Sequence, residues 1–365
     1  MKKVIAVVLA VCLIFALCSC AQQPASSGNA STTETKTETK TETKTETKTE
    51  TKTETAKPAE VITLTFGHDA GKEVLTGQAI QMFADLVEEK TNGGVHIECY
   101  WDAVLGSEAE MCEGVKMGTI DMLKCNSGNT ASFVPEINVF SLPFIFTSTE
   151  HASKCFFGEV GDVMKSCYED AGFHCFLFLD EGARNVFGWK PVTSPSDMTG
   201  VKIRTMGANA IQDGFRAIGA SPISMNWGDV YSALQQKILD MAETPVWNYL
   251  AGQYWEVGDT MSATEHLRIP AVFLMNLDKY NSLSDEYKAA MEEAAEEVEK
   301  WYNDQFTAYN ADCLDQIIAA GTKYIELTAE QRAAFQELCK PMYESYKSEL
   351  GERGAKMIDM IIAAS

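Results

Sequence analysis

Strand-like and helix-like segments alternate from residue 61 onward, and this alternation limits the possible folds more than any other feature of the chain. "VITLTFGHD" predicts a strand and a loop, and "TGQAIQMFADLVEEKTNGG" repeats apolar residues at helical spacing before it ends on glycines. "VHIECYW" predicts the next strand, and "SEAEMCEGVKMG" predicts a helix that Ser107 opens and Gly118 closes. Such alternation predicts an α/β fold with mainly parallel, buried sheets and ligand-binding loops at the strand ends.

A segment near the C-terminus predicts one helix that is longer than a single domain needs. Ser284 suits the N-cap, Asp285 and Glu286 suit the positive end of the helix, and Gly321 ends it. Without a break this helix extends for about 50 Å at a rise of 1.5 Å per residue. The chain has 365 residues, which is comfortable for two domains, so this helix could cross both of them.

The first 20 residues have the layout of a signal peptide. Lys2 and Lys3 form a charged start, and Val4–Leu17 is an apolar run too short for a permanent membrane anchor. The run ends in "LCSC", which resembles a bacterial lipobox with Cys20 as the lipid acceptor. A plain secretory signal with an incidental cysteine is the alternative.

Residues 21–60 are a low-complexity segment in which "TETK" repeats with alternating charge and no apolar face. Such a segment cannot bury a core, and threonine is a poor helix former. As a coil, its ends lie roughly 35 Å apart on average. It is therefore interpreted as a disordered tether that holds a soluble domain clear of a membrane.

The charge of the chain argues against nucleic acid as a partner. The net charge is −22, and residues 21–60 nearly balance seven glutamates against six lysines, so the excess lies in the folded part. A body this acidic repels phosphates and anionic lipid.

The chain also lacks the motifs of common enzymes and metal sites. It contains no G-x-S-x-G, no H-E-x-x-H, no phosphate-binding loop and no C-x-x-C pair, and its five histidines are scattered. We therefore predict neither catalysis nor a metal nor a cofactor.

The cysteines after residue 20 are predicted to be buried free thiols, with one or two disulfides as the alternative. These cysteines are Cys99, Cys112, Cys125, Cys155, Cys167, Cys175, Cys313 and Cys339.

Together the segments after residue 60 resemble the substrate-binding proteins of TRAP (tripartite ATP-independent periplasmic) transporters, of the DctP type. The resemblance covers nearly all of residues 61–365, and its strength lies in the family order of many individually weak pieces. These pieces are "VEEKTNGGVHIECYWDAVLGSE", "MGTIDM", "FVPEINVFSLPFIFTSTEHA", "DEGARNVFGWKPV", "MTGVKIRTMG", "GASPISMNWGDVYSALQQKILDMAE" and "MNLDKYNSLSD".

The resemblance implies a two-lobed periplasmic-binding-protein-like fold, with mixed sheets flanked by helices and a long helix crossing both lobes. Lobe I is expected to comprise 61–181 and 270–309, and lobe II 182–269 and 310–365. The implied function is extracytoplasmic capture of a small organic acid, by a lipid-anchored monomer, for delivery to the membrane subunits of a TRAP permease driven by an ion gradient. A surface-anchored ligand presenter for sensing and a secreted hydrolase are the alternatives.

The resemblance also implies which residues bind the acid. Arg204, in "GVKIRTMG", matches the arginine that pairs with the ligand carboxylate, and a planar guanidinium can bind a carboxylate bidentately while it stays charged. Arg184 matches the second arginine of the cleft, and Trp227 matches an aromatic wall position. Polar positions on the facing lobe match, by a looser alignment, Asp69, Glu108 and Asn126.

Three departures from the family pattern bear on the ligand. Met241 replaces a glycine, and Thr244 replaces an asparagine that normally hydrogen-bonds the ligand, so Thr244 is expected to contact the ligand with a shorter reach. Asn129 stands where sialic-acid binders have a further arginine. These changes count against sialic acid and leave a sugar acid or a four-carbon dicarboxylate open.

Overall fold

The computed structural model describes residues 61–365. The predicted signal peptide (1–20), the lipid acceptor Cys20 and the predicted tether (21–60) lie outside the described residues. Within the described part, the search for helices long and apolar enough to cross a bilayer finds none.

Eleven strands and twelve α-helices are found in residues 61–365. The strands are β1 Ile62–Gly67, β2 Val95–Tyr100, β3 Met122–Asn126, β4 Phe173–Leu179, β5 Ala183–Gly188, β6 Lys202–Thr205, β7 Ser221–Ser224, β8 Met241–Pro245, β9 Thr260–Arg268, β10 Ala271–Asn276 and β11 Lys323–Glu326. The helices are α1 Leu75–Lys90, α2 Glu108–Met117, α3 Thr149–Phe156, α4 Glu159–Asp170, α5 Asn209–Ala217, α6 Trp227–Gln235, α7 Val246–Ala251, α8 Leu277–Ser282, α9 Asp285–Ala319, α10 Ala329–Cys339, α11 Pro341–Glu349 and α12 Gly351–Ala364.

The strands form two mixed sheets, one in each lobe. The first has the order β2-β1-β3-β10-β4, and the second has the order β11-β9-β5-β8-β6-β7. Most neighbours are parallel, as expected for an α/β chain, but β10 is antiparallel to β3 and β4, and β5 is antiparallel to β8 and β9. The antiparallel strands β10 and β5 are those that the chain enters directly from the other sheet, which explains why the sheets are mixed.

Two short connections and one long helix join the sheets. Strand β4 is followed after three residues by β5, and β9 is followed after two residues by β10. Helix α9 has 35 residues and packs against α1 and β4 on one side and against α7 on the other. At 1.5 Å per residue it is about 52 Å long, and it crosses both lobes as predicted.

The ends of the predicted helices are set by local chemistry. The Ser107 side chain accepts from the backbone N–H of Glu110, and the Glu110 carboxylate accepts from the Ser107 N–H, which makes a capping box at the start of α2. Gly118 ends α2 with a φ of 74°, a conformation that favours glycine. Ser284 caps α9 through the N–H of Tyr287, as its position in the sequence predicts.

The C-terminal helix packs on a different lobe from the one expected. Met357, Ile358 and Ile361 of α12 are fully buried in a core cluster that also holds Phe140 and Phe156 of the expected lobe I. Helix α12 packs there against α3, α4 and the segment Pro135–Val139. The expected division of residues 61–365 between the two lobes stays a prediction.

All eight described cysteines are free thiols.

Candidate functional site

A polar cleft lies between the two sheets, where the carboxyl ends of several parallel strands meet. It consists of two adjoining cavities of about 450 Å³ and about 740 Å³, a range typical of small-molecule sites. Side chains from both lobes line it. The lining residues that the argument below uses are Asp69, Glu108, Asn126 and Asn129 from lobe I, and Arg184, Arg204, Trp227 and Asn248 from lobe II.

Arg204 lies on β6 and is only 3% exposed. Its Nε donates to the backbone carbonyl of Met225 at 2.8 Å, and its guanidinium carbon lies 5.1 Å from the ring centre of Trp227. Among residues 61–365, neither Nη atom has a hydrogen-bond partner and no carboxylate lies within ion-pair distance. The two outer nitrogens are therefore held in position, and are available to a ligand.

Burial sets the charge state of this arginine. It lowers the pKa of Arg204 to about 10, and the nearby charge of Arg184 adds to the effect, while Glu243 opposes it. The side chain stays protonated at neutral pH because this value is still well above 7. A buried cation without a partner is costly, so a bound anion would be strongly favoured at this point.

Arg184, on β5, is already paired. Its Nη2 donates to Glu243 Oε1 at 3.0 Å and to the Glu243 backbone carbonyl at 3.0 Å, and its Nε donates to Oε2. Burial opposes ionisation of Glu243, but the charge and the hydrogen bonds of Arg184, together with the nearby His266, outweigh it and lower its pKa to about 2. Arg184 therefore brings little uncompensated charge to the cleft, unlike Arg204.

Lys124 is the third buried cation of the cleft, and it is also paired. Its Nζ lies 2.9 Å from Glu181 Oε1 and 3.5 Å from Glu108 Oε1. Burial opposes the charge, but the carboxylates of Glu181, Glu108 and Asp69 outweigh it and raise the pKa of Lys124. Asn126 belongs to the same network, because its Nδ2 donates to Glu181 Oε2 at 3.0 Å. Since Glu181 lies between β4 and β5, this network ties lobe I to a connection between the lobes.

Glu108 and Asp69 are two of the lobe I carboxylates that line the cleft. Glu108, the first residue of α2, accepts from Asn126 N at 2.9 Å and from Asn129 Nδ2 at 2.6 Å. Burial and the neighbouring charge of Asp69 raise the pKa of Glu108 to about 7. Asp69 follows β1, and its Oδ1 lies 3.3 Å from Nδ1 of the buried His68. This wall can accept hydrogen bonds from hydroxyl groups.

Thr244 requires a correction to the expected direct contact. It is 0% exposed, and its Oγ1 accepts a hydrogen bond from Asn248 Nδ2 at 3.1 Å. The hydroxyl is thus buried behind the lining, because β8 is covered on both faces. Asn248, four residues further along on α7, lines the cleft.

Comparison with known proteins places the chain among transport-related binding proteins. The model of the DctP family, bacterial extracellular solute-binding protein family 7, matches residues 66–349. The chain belongs to this family.

Relatives and solved structures of this DctP family match over most of their length. The chain is 33% identical to the 2,3-diketo-L-gulonate-binding periplasmic protein YiaO of Escherichia coli over 64% of this chain and 72% of that protein. It is 30% identical to the C4-dicarboxylate-binding periplasmic protein DctP of Rhodobacter capsulatus over 72% and 80%. A TRAP solute-binding protein of Roseobacter denitrificans, solved with β-D-glucuronate, has a TM-score of 0.80 and 29% identity over 83% of this chain and all of that one.

Six of the seven ligand-binding residues expected from the sequence line the cleft, but the sequence did not point to the buried charges Lys124, Glu181 and Glu243. Lys124 looks like an ordinary strand residue in "MLKCN", and Glu181 and Glu243 look like loop and strand carboxylates. The ion pairs of these residues cannot be predicted from sequence spacing, because the partners are far apart along the chain and meet only when the strands are assembled. Asn248 could have been found as an amide four residues after the substituted position 244.

Glu108→Gln is expected to remove the loss of folding stability that ionisation of the buried Glu108 causes as the pH rises. The folded pKa of Glu108, about 7, lies above its ordinary value of 4.5, so the folded state holds this proton more tightly than the unfolded state does. Stability from this group is therefore present at low pH and is lost as the pH rises from about 4.5 through 7. The ligand-free melting temperature of Glu108→Gln, relative to the natural protein, should rise by at least about 2 °C between pH 5 and pH 8.

Glu113→Gln is the matched control, since it changes an exposed glutamate of the same helix. Its melting temperature relative to the natural protein should be the same at both pH values. If Glu108→Gln shows no more pH dependence than this control, Glu108 is ionised throughout the range.

Proposed function

We propose that this protein captures a sugar acid by its carboxylate and delivers it to a TRAP permease for uptake. The observation that carries the proposal is the contrast among the three buried cations of the cleft. Lys124 and Arg184 have carboxylate partners, whereas both Nη atoms of Arg204 face the cleft without one among the described residues. One bidentate carboxylate completes this site.

The lobe I wall of the cleft, opposite Arg204, favours a polyhydroxylated monoacid over a four-carbon dicarboxylate. A ligand held by Arg204 extends toward Glu108, Asp69 and Asn129, which offer carboxylate and amide groups to hydroxyls. A second ligand carboxylate at this wall would meet like charge, and Lys124 is already paired with Glu181. The solved relatives with glucuronate or galacturonate support the same class, while the Rhodobacter relative is named for C4-dicarboxylates.

A thermal-shift screen tests this assignment. D-glucuronate and D-galacturonate are expected to raise the melting temperature by several degrees, since ligand at one hundred times its dissociation constant stabilises by about 2.7 kcal/mol. Succinate and L-malate should give smaller shifts, and D-glucose, which has hydroxyls but no carboxylate, should give none. Larger shifts with the dicarboxylates than with every sugar acid would contradict the sugar-acid assignment.

The same proposal places the protein on the outer face of the cell membrane. Cys20 would carry the lipid, residues 21–60 would act as the tether, and the folded part would work as a monomer without catalysis. The extracellular role of the family and the "LCSC" sequence support this arrangement. The alternative sensing role has no comparable support.

Cys20→Ala should abolish the anchor, because the lipid is attached to that thiol. We expect the variant protein to appear in the medium or to stay unprocessed, as measured by fractionation and by the mass of the mature N-terminus. Cys18→Ala, two residues earlier, is the matched control and should stay lipidated. A processed, membrane-bound Cys20→Ala protein would rule out lipidation at this residue.

A further inference from the structure

Asn248 holds a position on the cleft wall that the family pattern does not predict. It lies in α7, four residues after Thr244, and it lines the cavity of about 450 Å³ together with Arg184 and Arg204. The family resemblance places a ligand-binding asparagine at position 244, where this chain has threonine. The amide is therefore kept in the cleft, but it comes from the following helix.

The buried threonine fixes the orientation of this amide. Asn248 Nδ2 donates to Thr244 Oγ1 at 3.1 Å, and Thr244 is 0% exposed within a strand that is buried throughout. An amide has two N–H donors and a carbonyl acceptor, and Thr244 satisfies one of these donors. Among residues 61–365, the other side-chain N–H and the side-chain oxygen Oδ1 of Asn248 have no hydrogen-bond partner.

Such an amide can distinguish between arrangements of hydroxyl groups. A hydroxyl both donates and accepts, and the carbonyl and the second N–H of one amide can pair with neighbouring hydroxyls. The amide is neutral, so it does not compete with Arg204 for the carboxylate. A ligand that lacks a hydroxyl at the right place leaves the amide unpaired in a closed cleft, and sites of this kind discriminate strongly.

We propose that Asn248, oriented by Thr244, is a specificity-determining residue that reads the hydroxyl arrangement of the bound acid. This rests on the proposed function, since it assumes an acid whose carboxylate lies on Arg204. Asn248 contacts the ligand, and Thr244 is the positioning residue that acts through it.

Titration calorimetry with D-glucuronate and D-galacturonate, which differ only in the orientation of one hydroxyl, tests the assignment. Asn248→Ala is expected to weaken the better-bound uronate by about fivefold or more and to change the ratio of the two dissociation constants. Thr244→Val removes the orienting hydroxyl at nearly constant shape and should change the ratio in the same direction. Thr244→Ser keeps the hydroxyl and should restore the natural ratio.

The outcomes separate this assignment from the proposed function. A merely structural role of Asn248 would lower the ligand-free melting temperature and weaken both uronates by the same factor, which would overturn the assignment alone. Natural protein that binds neither uronate nor any other sugar acid would overturn the proposed function and this assignment with it. A changed ratio in Asn248→Ala and Thr244→Val, with the natural ratio in Thr244→Ser, supports the assignment.

Discussion

Arg204→Ala is expected to lose about 30-fold to several thousand-fold in affinity for the bound acid. Truncating one partner of a desolvated, hydrogen-bonded charge pair costs about 2–5 kcal/mol, and every 1.4 kcal/mol is a factor of ten. The ligand-free melting temperature should change little, because both Nη atoms of Arg204 lack partners among the described residues and burial already disfavours its charge. Calorimetric titration and thermal melting of the same variant measure both quantities.

Arg204→Lys is the matched control for geometry. It keeps the positive charge but loses the planar pair of donors and the stacking on Trp227, so binding should be weakened less than in Arg204→Ala. A large fall in ligand-free stability in both variants would instead indicate that Arg204 holds the fold together.

Arg184→Met is expected to have the opposite profile, with a large loss of stability. It leaves the carboxylate of Glu243, which is 0% exposed, without the cation that holds its pKa at about 2. Breaking a buried ion pair in this way costs about 3–5 kcal/mol, and the melting temperature should therefore fall by at least about 6 °C. Acid should reduce the deficit, because Glu243 can then become neutral.

Arg184→Met combined with Glu243→Leu is the control for the stranded charge. The double variant should recover much of the lost stability, since no buried charge remains unpaired. His266, whose Nε2 lies 3.6 Å from Glu243, is unchanged in both variants. A double variant as unstable as Arg184→Met would show that the stability is lost through altered packing and not through the unpaired charge of Glu243.

The parts of the fold that local chemistry determines could be predicted from the sequence. The N-caps Ser107 and Ser284 and the terminating Gly118 are identifiable from residue type alone, and all three lie where predicted. The alternation of strands and helices gave the α/β class. The packing of α12 was not predictable, because an amphipathic helix at the chain end carries no information on which lobe has an uncovered apolar face.

The candidate site was predictable only residue by residue. Arg204 and Trp227 follow from the family resemblance, and the structure brings them together at 5.1 Å. The difference between Arg204 and Arg184 could not be predicted, because it depends on Glu243 across β5 and β8. The buried position of Thr244 likewise depends on the sheet that forms around β8 and not on its neighbours in sequence.

Titration of folded Arg204→Ala protein with D-glucuronate, beside the natural protein, measures whether Arg204 holds the ligand carboxylate. We expect at least about a 30-fold rise in the dissociation constant, with a ligand-free melting temperature close to that of the natural protein. Tight binding by the natural protein and unchanged affinity in the folded variant would contradict the claim that Arg204 holds the ligand carboxylate.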